Sequence, residues 1–182
     1  MGNPPWEKIN LEDLEFFANK DKNICAITKS VQRSKAIEML KDSDLELYNE
    51  YHKALNNTNK ALNFFKSDIK FIYGNGGLLN TYPLFAELNL NLLNKNGMTG
   101  LIMPSGFFSD DTLSPLFRFC LENNFIEKII DFENNKKIFQ DVHGQFRFCI
   151  SILNKAKRKE GFVAQFYLNN PIQIGNTESL ID

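Results

Sequence analysis

No apolar run in this chain is long enough to cross a bilayer. The longest, such as Leu101-Ile102-Met103, are a few residues, against the roughly 20 that a spanning helix needs. No basic segment is followed by an apolar one of the kind that directs secretion, and a cytoplasmic protein is expected. Cysteine is scarce and odd in number: Cys25, Cys120 and Cys149 stand far apart in apolar surroundings, as reduced buried thiols do. No Cys/His group has metal-ligand spacing, so no metal is expected. The net charge is only −1, which gives no global attraction for nucleic acid. Any phosphate contact would come from local patches such as Lys136-Lys137, Arg147 and the basic run 155–159. Internal repeats and low-complexity tracts are also lacking. What remains is a globular composition, 43% hydrophobic with 17 phenylalanines, sufficient for one domain with a real core.

Proline is sparse at 6 residues, yet two of them are adjacent in Asn3-Pro4-Pro5-Trp6. Each proline fixes φ near −65° and lacks an N–H, and Pro5 holds Pro4 extended. The segment is a stiff wall that offers carbonyl oxygens without backbone donors. Asn3 adds a side-chain acceptor and Trp6 a broad π face. Two acceptors beside a stacking surface suit a flat ring whose exocyclic NH2 must be gripped.

The remainder divides in two. Up to about residue 70 the pattern is helical. Asn10 is placed to cap a helix over 11–18, a second is expected over 29–41, and a third starts at Ser43 or Asp44. The third carries Leu45, Tyr48, Tyr51, Leu55, Thr58, Leu62 and Phe65 on one stripe. His52 in this helix suits half-buried packing. From 71 to 182 the pattern is α/β. Asn80 or Thr81 caps a helix ending at Asn96-Gly97, and a strand over 99–103 stops at Pro104-Ser105-Gly106. Asp110-Asp111 suit the cap of a helix over 112–122, and strands are expected over 125–132, 147–153 and 162–168. Helix–strand alternation implies an α/β domain with a mostly parallel sheet and flanking helices, preceded by a helical insertion. The organisation expected is thus one partial domain over 1–182, with 1–70 holding the motif and helical insertion. Gly74-Asn75-Gly76-Gly77, the one glycine-rich run, is spaced wrongly for a dinucleotide fingerprint and is expected to be a flexible loop.

In this order the chain resembles the adenine-specific DNA methyltransferases of restriction-modification systems, especially the type II enzymes that fuse methyltransferase and endonuclease. The resemblance runs from Gly2-Asn3-Pro4-Pro5-Trp6-Glu7 through Leu47-Tyr48-Asn49-Glu50-Tyr51, Asn80–Glu87 and Met103-Pro104-Ser105-Gly106. It continues through Asp131-Phe132-Glu133-Asn134 to Phe139, Val142-His143 and Phe146-Arg147-Phe148-Cys149. It implies a partial Rossmann-like fold and S-adenosylmethionine as cofactor. It also implies that the cofactor half precedes the Asn-Pro-Pro-aromatic motif, so this chain would be an inactive C-terminal part of the catalytic domain. The same acceptors would serve an RNA guanine or protein glutamine methyltransferase, and a non-catalytic interaction module with a degenerate fold is a third reading.

What the resemblance implies for the residues is specific. Asn3 Oδ1 and the Pro4 carbonyl would accept both hydrogens of the target amine and stabilise the positive charge that grows as the methyl arrives. The target adenine of double-stranded DNA would be flipped from the helix and stacked on Trp6. Pro4 and Pro5 hold that geometry. Phe146 is the candidate second aromatic, since Phe148 on the same strand face should sit deeper. His143, before Gly144 in a polar loop, suits the surface. With no preceding strand, the tetrapeptide is expected to be displaced, and the bare edge at 99–103 to be covered by a second copy or by the chain's own helices.

Overall fold

The computed structural model describes residues 1–156, 161–175 and 179–181, which form two compact units, 9–67 and 1–8 with 68 onward. The first is all-helical: α1 (Asp13–Phe17), α2 (Lys22–Ala26), α3 (Ser30–Ser43) and α4 (Leu45–Ser67). Phe17, Ile24, Ile37, Leu40 and Tyr51 form its core. Asp13 binds it together, accepting from the Tyr51 hydroxyl at 2.8 Å and from Arg33 Nε at 3.1 Å. The local signals are uneven. Asp44 caps α4 through Leu47 N–H at 3.0 Å, whereas Asn10 caps nothing and donates to Glu12. The five-residue α2 was not foreseen, because only the Asp21 cap on Asn23 and Ile24 marks it. His52 is half-buried between Tyr48 and Tyr51, as its position suggests.

The second unit follows the α/β order: α5 (Thr81–Leu92), β1 (Met98–Pro104), α6 (Gly106–Ser109), α7 (Ser114–Glu122), β2 (Ile126–Glu133), β3 (Arg147–Asn154), β4 (Phe162–Leu168) and β5 (Ser179–Ile181). Asn80 caps α5, and Asp110 accepts from the N–H and hydroxyl of Thr112, the capping role expected of it. The sheet order is β1-β3-β2-β4-β5. One face carries Leu101, Met103, Ile129, Cys149 and Leu153 with Leu90, Phe107 and Leu116 from the helices; the other carries Ile130, Phe132 and Phe148.

The α/β class and the flanking helices agree with expectation, but the mostly parallel sheet does not. Among the named strands only β2 and β4 run parallel, while β1–β3, β2–β3 and β4–β5 are antiparallel. The reason lies between β2 and β3: residues 134–146 contain a 3-10 turn and no α-helix, and so short a connection returns the chain antiparallel. That return strand inserts between β1 and β2. Nor does the motif group with the helices as 1–70: residues 1–8 belong to the sheet unit.

Candidate functional site

Gly2 makes a parallel bridge to Leu101 on the free side of β1. Its N–H donates to Gly100 O at 2.9 Å and its carbonyl accepts from Ile102 N–H at 3.0 Å. The tetrapeptide is therefore seated beside β1, not displaced from it, because those two ladder bonds need no longer strand. Beyond Gly2 the prolines cannot continue the ladder, and the start of α5 takes over. The Thr81 hydroxyl donates to Pro5 O at 2.6 Å and accepts from Glu7 N–H at 3.2 Å, while Thr81 N–H donates to Glu7 O at 2.9 Å. Asn80 Nδ2 reaches Trp6 O at 3.4 Å.

The carbonyls of Pro5, Trp6 and Glu7 are thus occupied. The exposed Asn3 side chain and the Pro4 carbonyl have no hydrogen-bond partner among the described residues. Both residues line a cleft of about 390 Å³ together with Pro5, Trp6, Glu7, Phe139 and Val142. Trp6 Nε1 donates to Ile102 O at 3.3 Å. Its ring meets Phe139 edge-on at 5.9 Å, and stacks on Phe146 at 6.1 Å and on Phe148 at 6.5 Å. Phe148 is buried and Phe146 is 45% exposed, the depth order expected for this strand face.

Sequence reasoning missed Phe139 and Val142 as cleft residues. The device that places them is Asn134, fully buried at the end of β2. Its side-chain amide donates to Phe139 O and Val142 O, both at 2.9 Å, its Oδ1 accepts from Phe139 N–H at 2.9 Å, and its backbone N–H reaches Phe146 O at 3.0 Å. An asparagine at a strand end before a polar loop was the available signal. His143 is exposed, with Nδ1 accepting from Gln145 N–H, in keeping with a surface histidine.

The register of β3 is held from its other face. Asp131 is fully buried and accepts from Ser105 Oγ and Arg147 Nη2 in short bonds, and from Tyr167 N–H at 3.2 Å. Arg147 also lies 4.5 Å over the Tyr167 ring. Partial burial works against its charge, but the bond to Asp131 and the carboxylate's charge hold the guanidinium above its ordinary value. Tyr167 sits at φ +62°, a left-handed conformation unusual for a bulky residue, fixed here by that N–H bond. Arg147 is therefore the partner of a buried carboxylate rather than a free basic patch. Of the run 155–159, residues 157–159 lie outside the described residues.

The glycine-rich run is a pinned turn and not a loose loop. The buried Glu87 carboxylate accepts from the N–H groups of Ile72, Tyr73 and Gly74, the last at 2.7 Å. A Cβ at Gly76 would stand 2.2 Å from Thr112 O. The run's first amide, of Gly74, holds a protein carboxylate, and Gly74, Gly76 and Gly77 are packed against Pro83 and Thr112, so the run offers no cradle for S-adenosylmethionine. Among the described residues no group of three His, Cys, Asp or Glu could hold a metal, and no helix is long and apolar enough to cross a membrane.

Over part of its length the chain is similar to known proteins. Residues 51–139 match the Eco57I restriction-modification methylase family. Over 98 residues the chain is 31% identical to the type II restriction enzyme and methyltransferase RM.Eco57I of Escherichia coli; the match covers 54% of this chain and 9% of that protein. Among solved structures it is similar to the type ISP restriction-modification enzyme LlaBIII bound to DNA, at 13% identity and a TM-score of 0.42, over 91% of this chain and 10% of that one. The DrdV–DNA complex gives 15% identity and 0.45, over 91% of this chain and 14% of that one.

Proposed function

We propose that this chain, recognisable as part of a restriction-modification methylase, forms the target-base half of a DNA adenine methyltransferase. Its partner is double-stranded DNA, its substrate the exocyclic amine of a flipped adenine, and the methyl donor S-adenosylmethionine. The observation that carries the reading is the division of acceptors along the tetrapeptide. Pro5, Trp6 and Glu7 have their carbonyls closed off by Thr81 and Asn80, while the Asn3 side chain and the Pro4 carbonyl are left unclaimed and both residues line a cleft with Trp6 and Phe139.

In this reading Asn3 and Pro4 each accept one N–H of the adenine amine. That draws the nitrogen lone pair out of conjugation and stabilises the cation that develops on the nitrogen, without a base acting first. Trp6 supplies stacking, about 1–3 kcal/mol per base, which offsets much of the few kcal/mol lost on leaving the duplex. Pro4 and Pro5 keep both acceptors rigid, so little reorganisation remains at the reaction. S-adenosylmethionine supplies an electrophilic methyl. The residues described here do not fit it, and the proposal assigns its binding to a part of a longer polypeptide.

The test uses such a polypeptide, joining this chain to a cofactor-binding half. Asn3→Ala should leave cofactor affinity unchanged and lower methylation about 10²–10³-fold, the loss seen on removing one preorganised polar partner. Trp6→Ala should weaken capture of a fluorescent base analogue at the target position. Normal methylation by both variants would sink the assignment.

A further inference from the structure

The end of β4 is built in a way that core packing does not explain. Ile130 pairs with Gln165 and Phe132 with Leu168, so Phe166 and Tyr167 together oppose the single residue Asp131, a bulge in the parallel pair. Within it Tyr167 takes the left-handed conformation, at φ +62°, where glycine or asparagine would sit without strain. A bulky residue stays in such a conformation only where its surroundings over-determine it. Here the fully buried Asp131 does so: it accepts from Tyr167 N–H at 3.2 Å and binds Arg147, whose guanidinium lies 4.5 Å over the tyrosine ring. Tyr167 itself is 63% exposed. Its other ring contact is a tilted Phe166 at 6.5 Å, and its hydroxyl has no hydrogen bond among the described residues. Bulge, buried carboxylate and guanidinium together fix an exposed aromatic ring backed by a cation.

Pro104, Phe148, Phe132 and Leu168 pair in one row across β1, β3, β2 and β4. Trp6 bonds Ile102, two positions before Pro104, and packs on Phe148. The tetrapeptide and Tyr167 therefore stand at the same end of the sheet. Their strands, β1 and β4, are three spacings apart, about 14 Å, which is about four base steps at ~3.4 Å each. We propose that Tyr167 is a stacking platform for an unpaired nucleobase of the DNA, a few nucleotides from the target. Every base has a π face, so the contact is tolerant of sequence. Paired bases are closed to it, and the base that stacks is one left single when the duplex opens. The inference rests on the reading of DNA as partner, and adds a second point of attachment separate from the cleft.

The probe is a short single-stranded oligodeoxynucleotide carrying one fluorescent adenine analogue that dims on stacking. It is titrated at low salt into the chain and into Tyr167→Gly, Tyr167→Phe and Trp6→Ala, with urea unfolding of each. Tyr167→Gly should bind about 5- to 100-fold more weakly, the weight of one stacked base. Its urea midpoint should be no lower than the parent's, because glycine adopts the left-handed conformation freely. Tyr167→Phe, which keeps the ring, should match the parent in both measurements. Trp6→Ala should retain the part of the quenching that Tyr167 provides. Unchanged binding by Tyr167→Gly with quenching lost in Trp6→Ala overturns this inference and leaves the cleft as the base site. Unchanged binding with a lowered midpoint also overturns it, making the ring a brace for Arg147. Absence of quenching by the parent overturns it together with the base-stacking role of Trp6.

Discussion

Asn134 brackets Phe139: its Oδ1 accepts from the Phe139 N–H and its amide donates to the Phe139 carbonyl, both at 2.9 Å. A single buried side chain thereby does for the loop 135–146 what a partner strand does for a strand. Phe139, which meets Trp6 edge-on, thus has both its backbone polar groups bound by that side chain.

Asn134→Ala should leave the Phe139 N–H without a partner and weaken the hold on the carbonyls of Phe139 and Val142, which keep Val142 N–H and Lys137 Nζ as donors. At about 1–3 kcal/mol for a buried group left unpaired, a net loss of about 1–3 kcal/mol is expected in urea unfolding. Trp6 emission should shift with it. Asn134→Asp should do more damage, since a carboxylate would face the carbonyls of Phe139 and Val142.

Glu87 and the glycine run form a second lock. Glu87→Gln keeps the shape, removes the charge and turns a donor toward backbone N–H groups; a loss of about 1–3 kcal/mol is expected. Gly76→Ala should be worse than its size suggests, because its Cβ would meet the Thr112 carbonyl at 2.2 Å and backbone must shift. Urea midpoints of the two variants measure both. A Gly76→Ala protein as stable as the parent would disprove the packing described for this turn.

Burial pushes the thiols of Cys120 and Cys149 from 9.0 up to about 12, and burial with the Asp13 hydrogen bond raises the Tyr51 hydroxyl from 10.0 to about 12. These groups ionise later in the folded chain than in the unfolded one. The folded state therefore holds more protons above pH 9, and stability must fall as pH rises from about 9 toward 12. It should be insensitive to these groups below that window. Urea midpoints between pH 8 and 10.5 should decline, and less so in a Cys120→Ala/Cys149→Ala chain. In the native protein Cys25, the one half-exposed thiol, should be alkylated first.

How much of this was readable in the residues depends on the range over which each feature is encoded. Strand 162–168 and the capped helix from Thr81 follow from apolar runs and caps a few residues long, and the structure has them there. Strand order is not local: nothing within 147–154 states that β3 inserts between β1 and β2, and helix–strand alternation alone suggested a parallel sheet. The tetrapeptide announced its acceptors through the chemistry of proline, but not which ones remain open, since that depends on Thr81, more than 70 positions along the chain. Phe139 escaped notice for the same reason: its meeting with Trp6 spans most of the unit. Asn134 was visible only as one polar letter at a strand end.

The Thr81 clasp carries a consequence for anyone mapping this protein genetically. Thr81 does not line the cleft of Asn3 and Trp6, yet its hydroxyl binds Pro5 and Glu7 on either side of Trp6. With Asn3 and Trp6 holding the base as proposed, a screen for loss of function should recover Thr81→Val beside them, and its distance along the gene would hide that all three report one defect. Thr81→Ser, which keeps the hydroxyl, should pass the same screen.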